Sequence, residues 1–336
     1  MRLRLNVRAA RAGAGLLVLF LLLLAGALLL RRWEEERPQI PAEEEPAEDE
    51  RELVSYGGAW YVPREDLETV LFLGLDKTAL DESIPVSGEY AQADFVALLV
   101  LDPRMKTGEL IHINRDTMTE IRDFDTSGKP LGTYTGQLAL SYAHAQAYTG
   151  SDKTACESAR ESVSQLLYGV EIHHYVTLTL DGVACLNDLA GGVDVEIRDD
   201  FSAVDETLVQ GETVTLLGEH ALNYVRSRWW VGESSNLERM ERQEQYVEAL
   251  WKKLDGQMKA DEGFVLSALP VLSDYMDSDC TVEQLAALAE KARTYEAKQT
   301  SLAGEAVMGE RFMEFYADED ALRELVIGTF FEPVEE

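Results

Sequence analysis

Cysteine is scarce: Cys156, Cys185 and Cys280 are the only three in 336 residues, and none stands in a CxxC pair or a Cys/His ligand spacing. That spacing argues against a structural zinc site or a thioredoxin-like redox pair and suits free or buried thiols. A Cys156–Cys185 disulfide remains open, with nothing in the sequence to support it. Basic residues are also few, 30 Lys and Arg against 62 Asp and Glu, for a formal charge of −32. Long-range attraction to nucleic acid or to an anionic bilayer surface is therefore disfavoured, and no nucleic acid partner is expected. A site for an anion must then come from a local concentration of Arg. No GxSxG, Walker A or HExxH pattern is present, which removes the simplest hydrolase, NTPase and zincin readings. No internal repeat is found.

One long hydrophobic run is present. Residues 12–30 (AGAGLLVLFLLLLAGALLL) are uncharged, and at about 1.5 Å per residue they nearly span a bilayer core of roughly 30 Å. Arg2, Arg4, Arg8 and Arg11 precede the run, and Arg31, Arg32 and Arg37 follow before acidic residues take over. The positive-inside rule then places residues 1–11 in the cytoplasm and everything after the anchor outside, as a single-pass protein of the cell membrane. A cleaved signal peptide is the competing reading, but the run exceeds the usual apolar core, and Arg31 and Arg32 follow it without a small-residue cleavage pattern. Residues 31–66 read as an acidic tether, rich in Pro and Glu over 34–52, because such a composition cannot bury apolar surface.

The folded part is expected from Leu67. VLFLGLD (70–76), FVALLVLD (95–102) and ELIHINRD (109–116) read as buried strands, the last two joined by a turn-rich PRMKTG. A hairpin closing near residues 105 and 106 sets Asp94 opposite Arg115 and Asp116, at a sheet end that also receives Asp76 if the first strand runs towards it. Residues 151–169 carry a helical stripe through Ala155, Ala159, Val163, Leu166 and Leu167, stopped by Gly169, and HYVTLTL and GGVDVEI follow as strands. Residues 236–254 form a helix with Asn236 as N-cap and a packing stripe of Met240, Val247, Leu250 and Leu254. Strands alternating with helices indicate a layered α/β domain over 67–255. Residues 256–336 read as a mostly helical extension with no chemical motif.

Arg239, Arg242, Gln243 and Tyr246 stand at i, i+3, i+4 and i+7, one helical face with two guanidinium groups and an amide. Arg226 and Arg228 lie shortly upstream and share a face if the backbone is extended. The planar fork of Arg fits phosphate oxygens two at a time, so a diphosphate is the simplest ligand. The alternative is a solvated face in which Glu238, Glu241, Glu244 and Glu248 pair with these cations in surface salt bridges. Asp76 and Asp94 at one sheet edge resemble a hard-cation site, although loop aspartates also serve as turn formers. His173 and His174 have no ligand-spaced partner and read as strand-edge residues.

The ordered set FLGLD, AQADFVALLVLD, IHINRDTM, LLYGVEIHHYVTLTLDGVACLNDLAGGVDVEI, ALNYVRSR and NLERMERQ, over residues 68–255, resembles the LytR-CpsA-Psr family. The resemblance implies a mixed sheet flanked by helices, an apolar channel for a polyprenyl tail, and Mg²⁺ on Asp76 and Asp94. It places the diphosphate on Arg115, Arg226, Arg228, Arg239 and Arg242, with Gln92, Asn236 and Gln243 beside it. Two departures stand out: the family's Arg-Ser-Asp is here Gln92, Ala93 and Asp94, and its aspartate ahead of the helix Arg pair is Asn236. The implied reaction is transfer of a glycopolymer from a polyprenyl diphosphate to a peptidoglycan sugar hydroxyl, with Asp116 as a candidate base or Arg-orienting group. Two rivals are a polyprenyl diphosphate hydrolase and a non-catalytic lipid-glycan binding protein.

Overall fold

The computed structural model describes residues 53–77, 91–261 and 264–334. The apolar run at 12–30 and the tether as far as residue 52 lie outside the described residues. Among those described, no helix is long and apolar enough to cross a membrane.

The centre of the fold is a six-stranded sheet. Its strands are β3 (Glu68–Leu75), β4 (Ala93–Asp102), β5 (Thr107–Ile113), β8 (His174–Thr179), β11 (Met276–Ser278) and β12 (Glu296–Ser301), in the order β11-β8-β3-β4-β5-β12. The pairs β3/β8 and β5/β12 are parallel and the rest antiparallel, so the sheet is mixed. Period-two alternation sends the side chains of one strand to two cores. Val70 and Phe72 pack on one face with α3 (Leu180–Leu189), α4 (Glu219–Arg226) and α5 (Asn236–Ala260). Leu71, Leu73 and Leu75 pack on the other with α1 (Ala139–Thr149), α2 (Asp152–Leu166) and α8 (Glu319–Phe330). With both faces covered, β3 and β4 read as unbroken apolar runs.

The β4–β5 hairpin has the expected register. Val96 pairs with Ile113 and Asp102 with Thr107, so two more residues on each strand set Asp94 against Arg115. A bulge in the β3/β4 ladder then decides where Asp94 points. Gly74 pairs with Phe95 but Leu75 pairs with Ala93, which leaves Asp94 as the extra residue. Gly74 is required there, since a Cβ would lie 2.8 Å from Phe95 Cβ. Gly74→Ala is expected to destabilise the protein by about 1–3 kcal/mol through overpacking and to displace Asp94. Thermal melts together with an activity assay check this, and an unchanged melting temperature would rule it out.

Smaller sheets complete the fold: β1 (Val54–Tyr56), β2 (Ala59–Pro63) and β15 (Phe331–Pro333); β6 (Met118–Phe124) with β7 (Pro130–Gln137); β9 (Val193–Glu196) with β10 (Thr213–Leu216); and β13 (Gly304–Met308) with β14 (Met313–Ala317). Helices α6 (Phe264–Leu272) and α7 (Val282–Thr294) lie between α5 and β12.

Three sequence expectations are corrected. The folded part begins before Leu67, because β1 and β2 lie within 53–66, where they pair with each other and β2 pairs with β15 near the end of the chain. Residues 256–336 are no mostly helical appendage: β11 and β12 close the two edges of the central sheet. Both are edge strands, one of three residues and one reading EAKQTS, and neither carries the apolar alternation that marks a half-buried strand. The N-cap of α5 is Ser235 rather than Asn236. Its side chain accepts from the Glu238 amide in a capping box, which leaves the Asn236 side chain for other partners. The three cysteines are free.

Candidate active site

The site forms where β3, β4 and β5 end together. Asp76 follows β3, Asp94 projects from the bulge, and Arg115 and Asp116 lie just past β5. Opposite them, α4 ends on Arg226, Arg228 follows, and the first turn of α5 contributes Asn236 and Arg239. Arg226 is thus the last residue of a helix and not part of an extended pair, although Ser227 is extended and carries the chain on to Arg228.

Asp94 is gripped by two guanidinium groups: Arg115 binds one oxygen, and Arg239 Nη1 donates to the other at 3.0 Å. Arg115 also donates to Gln92, so the amide that replaces the expected cation serves to orient Arg115. Asn236 has a similar part. Its carbonyl accepts from Arg239 Nη2 at 2.6 Å while its amide donates to Asn114 at 2.7 Å, so Arg239 is held without a carboxylate. Asn114 in turn accepts from the Asp116 amide at 2.9 Å. Asp116 itself is buried, accepts from Gln137 Nε2 at 2.9 Å and lies 3.4 Å from Arg115 Nε. These contacts make it an orienting group.

The electrostatics are those of a crowded cationic site. Burial, and then the Arg239 charge, push the Arg115 guanidinium down to about 10. Burial likewise lowers Arg239, and burial followed by the Arg239 charge lowers Arg228. Arg115, Arg226, Arg228 and Arg239 face Asp76, Asp94 and Asp116, four cations to three anions, in a chain whose net charge is −32. Two buried donors, Arg115 Nε and Arg239 Nε, lack hydrogen-bond partners, and so does one acceptor, Asp76 Oδ1, which Arg226 approaches only to 3.4 Å. Buried polar groups without partners are uncommon, which marks this cluster as a candidate binding site.

Arg242 is engaged elsewhere, contrary to its expected place against the diphosphate, whereas Gln243 lines the cavity that reaches Asp94, Arg226 and Arg239 and has a buried Oε1 without a partner. Arg242 pairs with Asp199 at 2.8 Å, lies over the Phe201 ring, and donates to the carbonyls of Tyr224 and Ser227. Gln243 Nε2 donates to the Val225 carbonyl at 3.2 Å. These are the carbonyls that a helix C-terminus leaves unsatisfied. Both side chains therefore hold the end of α4 and with it Arg226 and Arg228.

An apolar cavity of about 90 Å³ lies beside the charged groups, lined by Gly74, Phe95, Leu178, Leu186, Tyr246 and Leu250 among others. A second of about 60 Å³ shares Gly74 and Phe95 and reaches Asp94, Arg226 and Arg239. The polar groups thus stand at the mouth of an apolar slot. Sequence reasoning missed Asn114, Gln137 and Lys77. Lys77, fully buried, ties the end of β3 to Asp152 at 3.2 Å and to Tyr142 at 3.3 Å. Asn114 lies within a motif already singled out, IHINRDTM, whereas nothing in the sequence marks the other two.

A family model, LytR_cpsA_psr, matches residues 41–326. The chain belongs to this family. Among LytR_cpsA_psr relatives, TagV of Bacillus subtilis, named a polyisoprenyl-teichoic acid–peptidoglycan teichoic acid transferase, is 30% identical over 189 residues, 54% of this chain and 42% of that protein. A TagU of the same description from Enterococcus faecalis is 27% identical over 256 residues, 76% of each. The chain spans about half the length of the first relatives it matches. The crystal structure of B. subtilis TagV superposes with a TM-score of 0.58 at 22% identity, covering 79% of this chain and 96% of that one, which shows the shared α/β fold.

Proposed function

We propose that this protein transfers a glycopolymer from a polyprenyl diphosphate to a sugar hydroxyl of peptidoglycan. The observation that carries the reading is the set of four guanidinium groups at the mouth of an apolar slot, one of which, Arg239, has a buried Nε without a partner. A diphosphate fits the first feature and the start of an isoprenoid tail the second. The names of the TagU and TagV relatives support the same substrate class.

In this reading Arg115 and Arg239 bind oxygens of the polymer-proximal phosphate, and Arg226 and Arg228 bind its neighbour. The acceptor hydroxyl oxygen bonds to that phosphorus, the bond to polyprenyl phosphate breaks, and the hydroxyl proton leaves to solvent. Asp116, held by Gln137, keeps Arg115 aimed. Asp76 and Asp94 suit Mg²⁺ by the chemistry of their donors, hard carboxylate oxygens of which Asp76 Oδ1 is buried without a hydrogen-bond donor. Bound there, Mg²⁺ supplies charge neutralisation at the phosphoryl oxygens. The apolar run at 12–30 and the arginines before it support an anchored protein with this domain outside the cell. Protease added to intact protoplasts should remove the domain.

The binding-protein reading rests on Gln92 and Asn236 as signs of a lapsed site. Both residues instead orient an arginine, which favours a working enzyme. Transfer of radiolabelled polymer to peptidoglycan, measured beside phosphate release without acceptor, separates transferase, hydrolase and binding protein. Asp94→Ala should abolish metal-dependent transfer, because it removes a metal ligand and leaves Arg115 and Arg239 facing each other. Full metal-dependent turnover in that variant would refute the metal site.

A further inference from the structure

His174 opens β8, and the pairing of β8 with β11 brings the Asp279–Cys280 corner to it across 105 residues of sequence. One ligand atom each from His174, Asp279 and Cys280 lie within 4.8 Å of one another. A tetrahedral zinc ion, with bonds of about 2.0–2.3 Å, separates its ligands by roughly 3.3–3.8 Å, so closure needs a shift of about 1 Å.

The polar atoms of the cluster converge on one point. His174 Nδ1 is buried with no hydrogen-bond partner, 3.4 Å from Asp279 Oδ1. The backbone fixes the carboxylate from the other side, since Tyr175 N donates to Asp279 Oδ1 at 2.9 Å, and Arg160 holds its second oxygen at 3.0 Å. Cys280 is buried and makes no disulfide, and its amide is pinned by Ser278 Oγ at 3.1 Å.

We propose that His174, Asp279 and Cys280 form a zinc site, with water in the fourth position. An imidazole, a thiolate and one carboxylate select a borderline-soft ion over Mg²⁺. The site is separate from the transferase centre. His174 pairs with Val70 while Thr179 pairs with Leu75, next to Asp76, so five residues, or about 16 Å of strand, lie between them. Bound there, the ion would also tie the three-residue edge strand β11 to β8 of the central sheet.

The test uses the full chain in detergent, reduced, stripped with chelator and then titrated with Zn²⁺ or Co²⁺ alone. One zinc per chain is expected, with proton release, a rise in melting temperature and a thiolate-to-cobalt charge-transfer band. His174→Ala and Cys280→Ala should each weaken zinc binding by more than the roughly 10–100-fold seen for outer partners of a metal site. Asp76→Ala should keep the cobalt band, because the other carboxylate pair holds no thiolate. If Cys280→Ala does not fold, His174→Ala, at a partly exposed position, decides alone. Wild-type zinc affinity in His174→Ala, or no cobalt band in the wild type, would overturn the proposal.

Discussion

Arg239→Ala is expected to lower transfer by about 10²–10³-fold, the loss typical when one preorganised donor to developing negative charge is removed. Arg239 is almost fully buried, with Nη1 on Asp94, Nη2 on Asn236 and Nε without a partner. A guanidinium fixed on two sides and free on the third cannot reorganise cheaply, so its field is already in place when a phosphoryl group arrives. Arg239→Lys keeps a charge but loses the fork that touches Asp94 and Asn236 together, and should recover only part of the rate. Removing Arg239 leaves Asp94 still paired with Arg115, so the fold should survive. Rates at saturating donor, with melting temperature as the control, check this. A near-wild-type rate for the alanine variant would return Arg239 to a purely structural role.

Arg242→Ala should behave in the opposite way, with a large loss of stability. Its guanidinium is buried between Asp199, the Phe201 ring and the carbonyls of Tyr224 and Ser227. Truncation strands a largely buried carboxylate and uncaps the end of α4, at a cost of about 3 kcal/mol. For a domain of this size that lowers the melting temperature by about 6 °C or more. Transfer should also fall, but only because Arg226 and Arg228 lose their support. Calorimetry on Arg239→Ala and Arg242→Ala side by side separates the roles, since the first should melt near the wild type and the second well below it. A wild-type melting temperature for Arg242→Ala would place that side chain with the substrate instead.

The sequence by itself determined the parts of this protein governed by local spacing. The apolar runs of β3 and β4, the hairpin that sets Asp94 against Arg115, and the helical face bearing Arg239 and Tyr246 follow from periods of 2.0 and 3.6 residues, and they emerged as expected. The ordered motifs sufficed to identify the family. Tertiary structure alone decided the division of labour among the arginines. Arg239 and Arg242 are three residues apart on one buried face, yet one meets Asp94 from the sheet end and the other meets Asp199 and the end of α4. Spacing along a helix states which face a residue shares, and the partner on that face comes from elsewhere in the chain. The edge strands β11 and β12 were hidden for a related reason. A short strand with a solvent-facing side needs no apolar alternation, and its place is set by the backbone hydrogen bonds an unfinished sheet still offers. The meeting of His174 with Cys280 depends on that pairing, so no local pattern could disclose it.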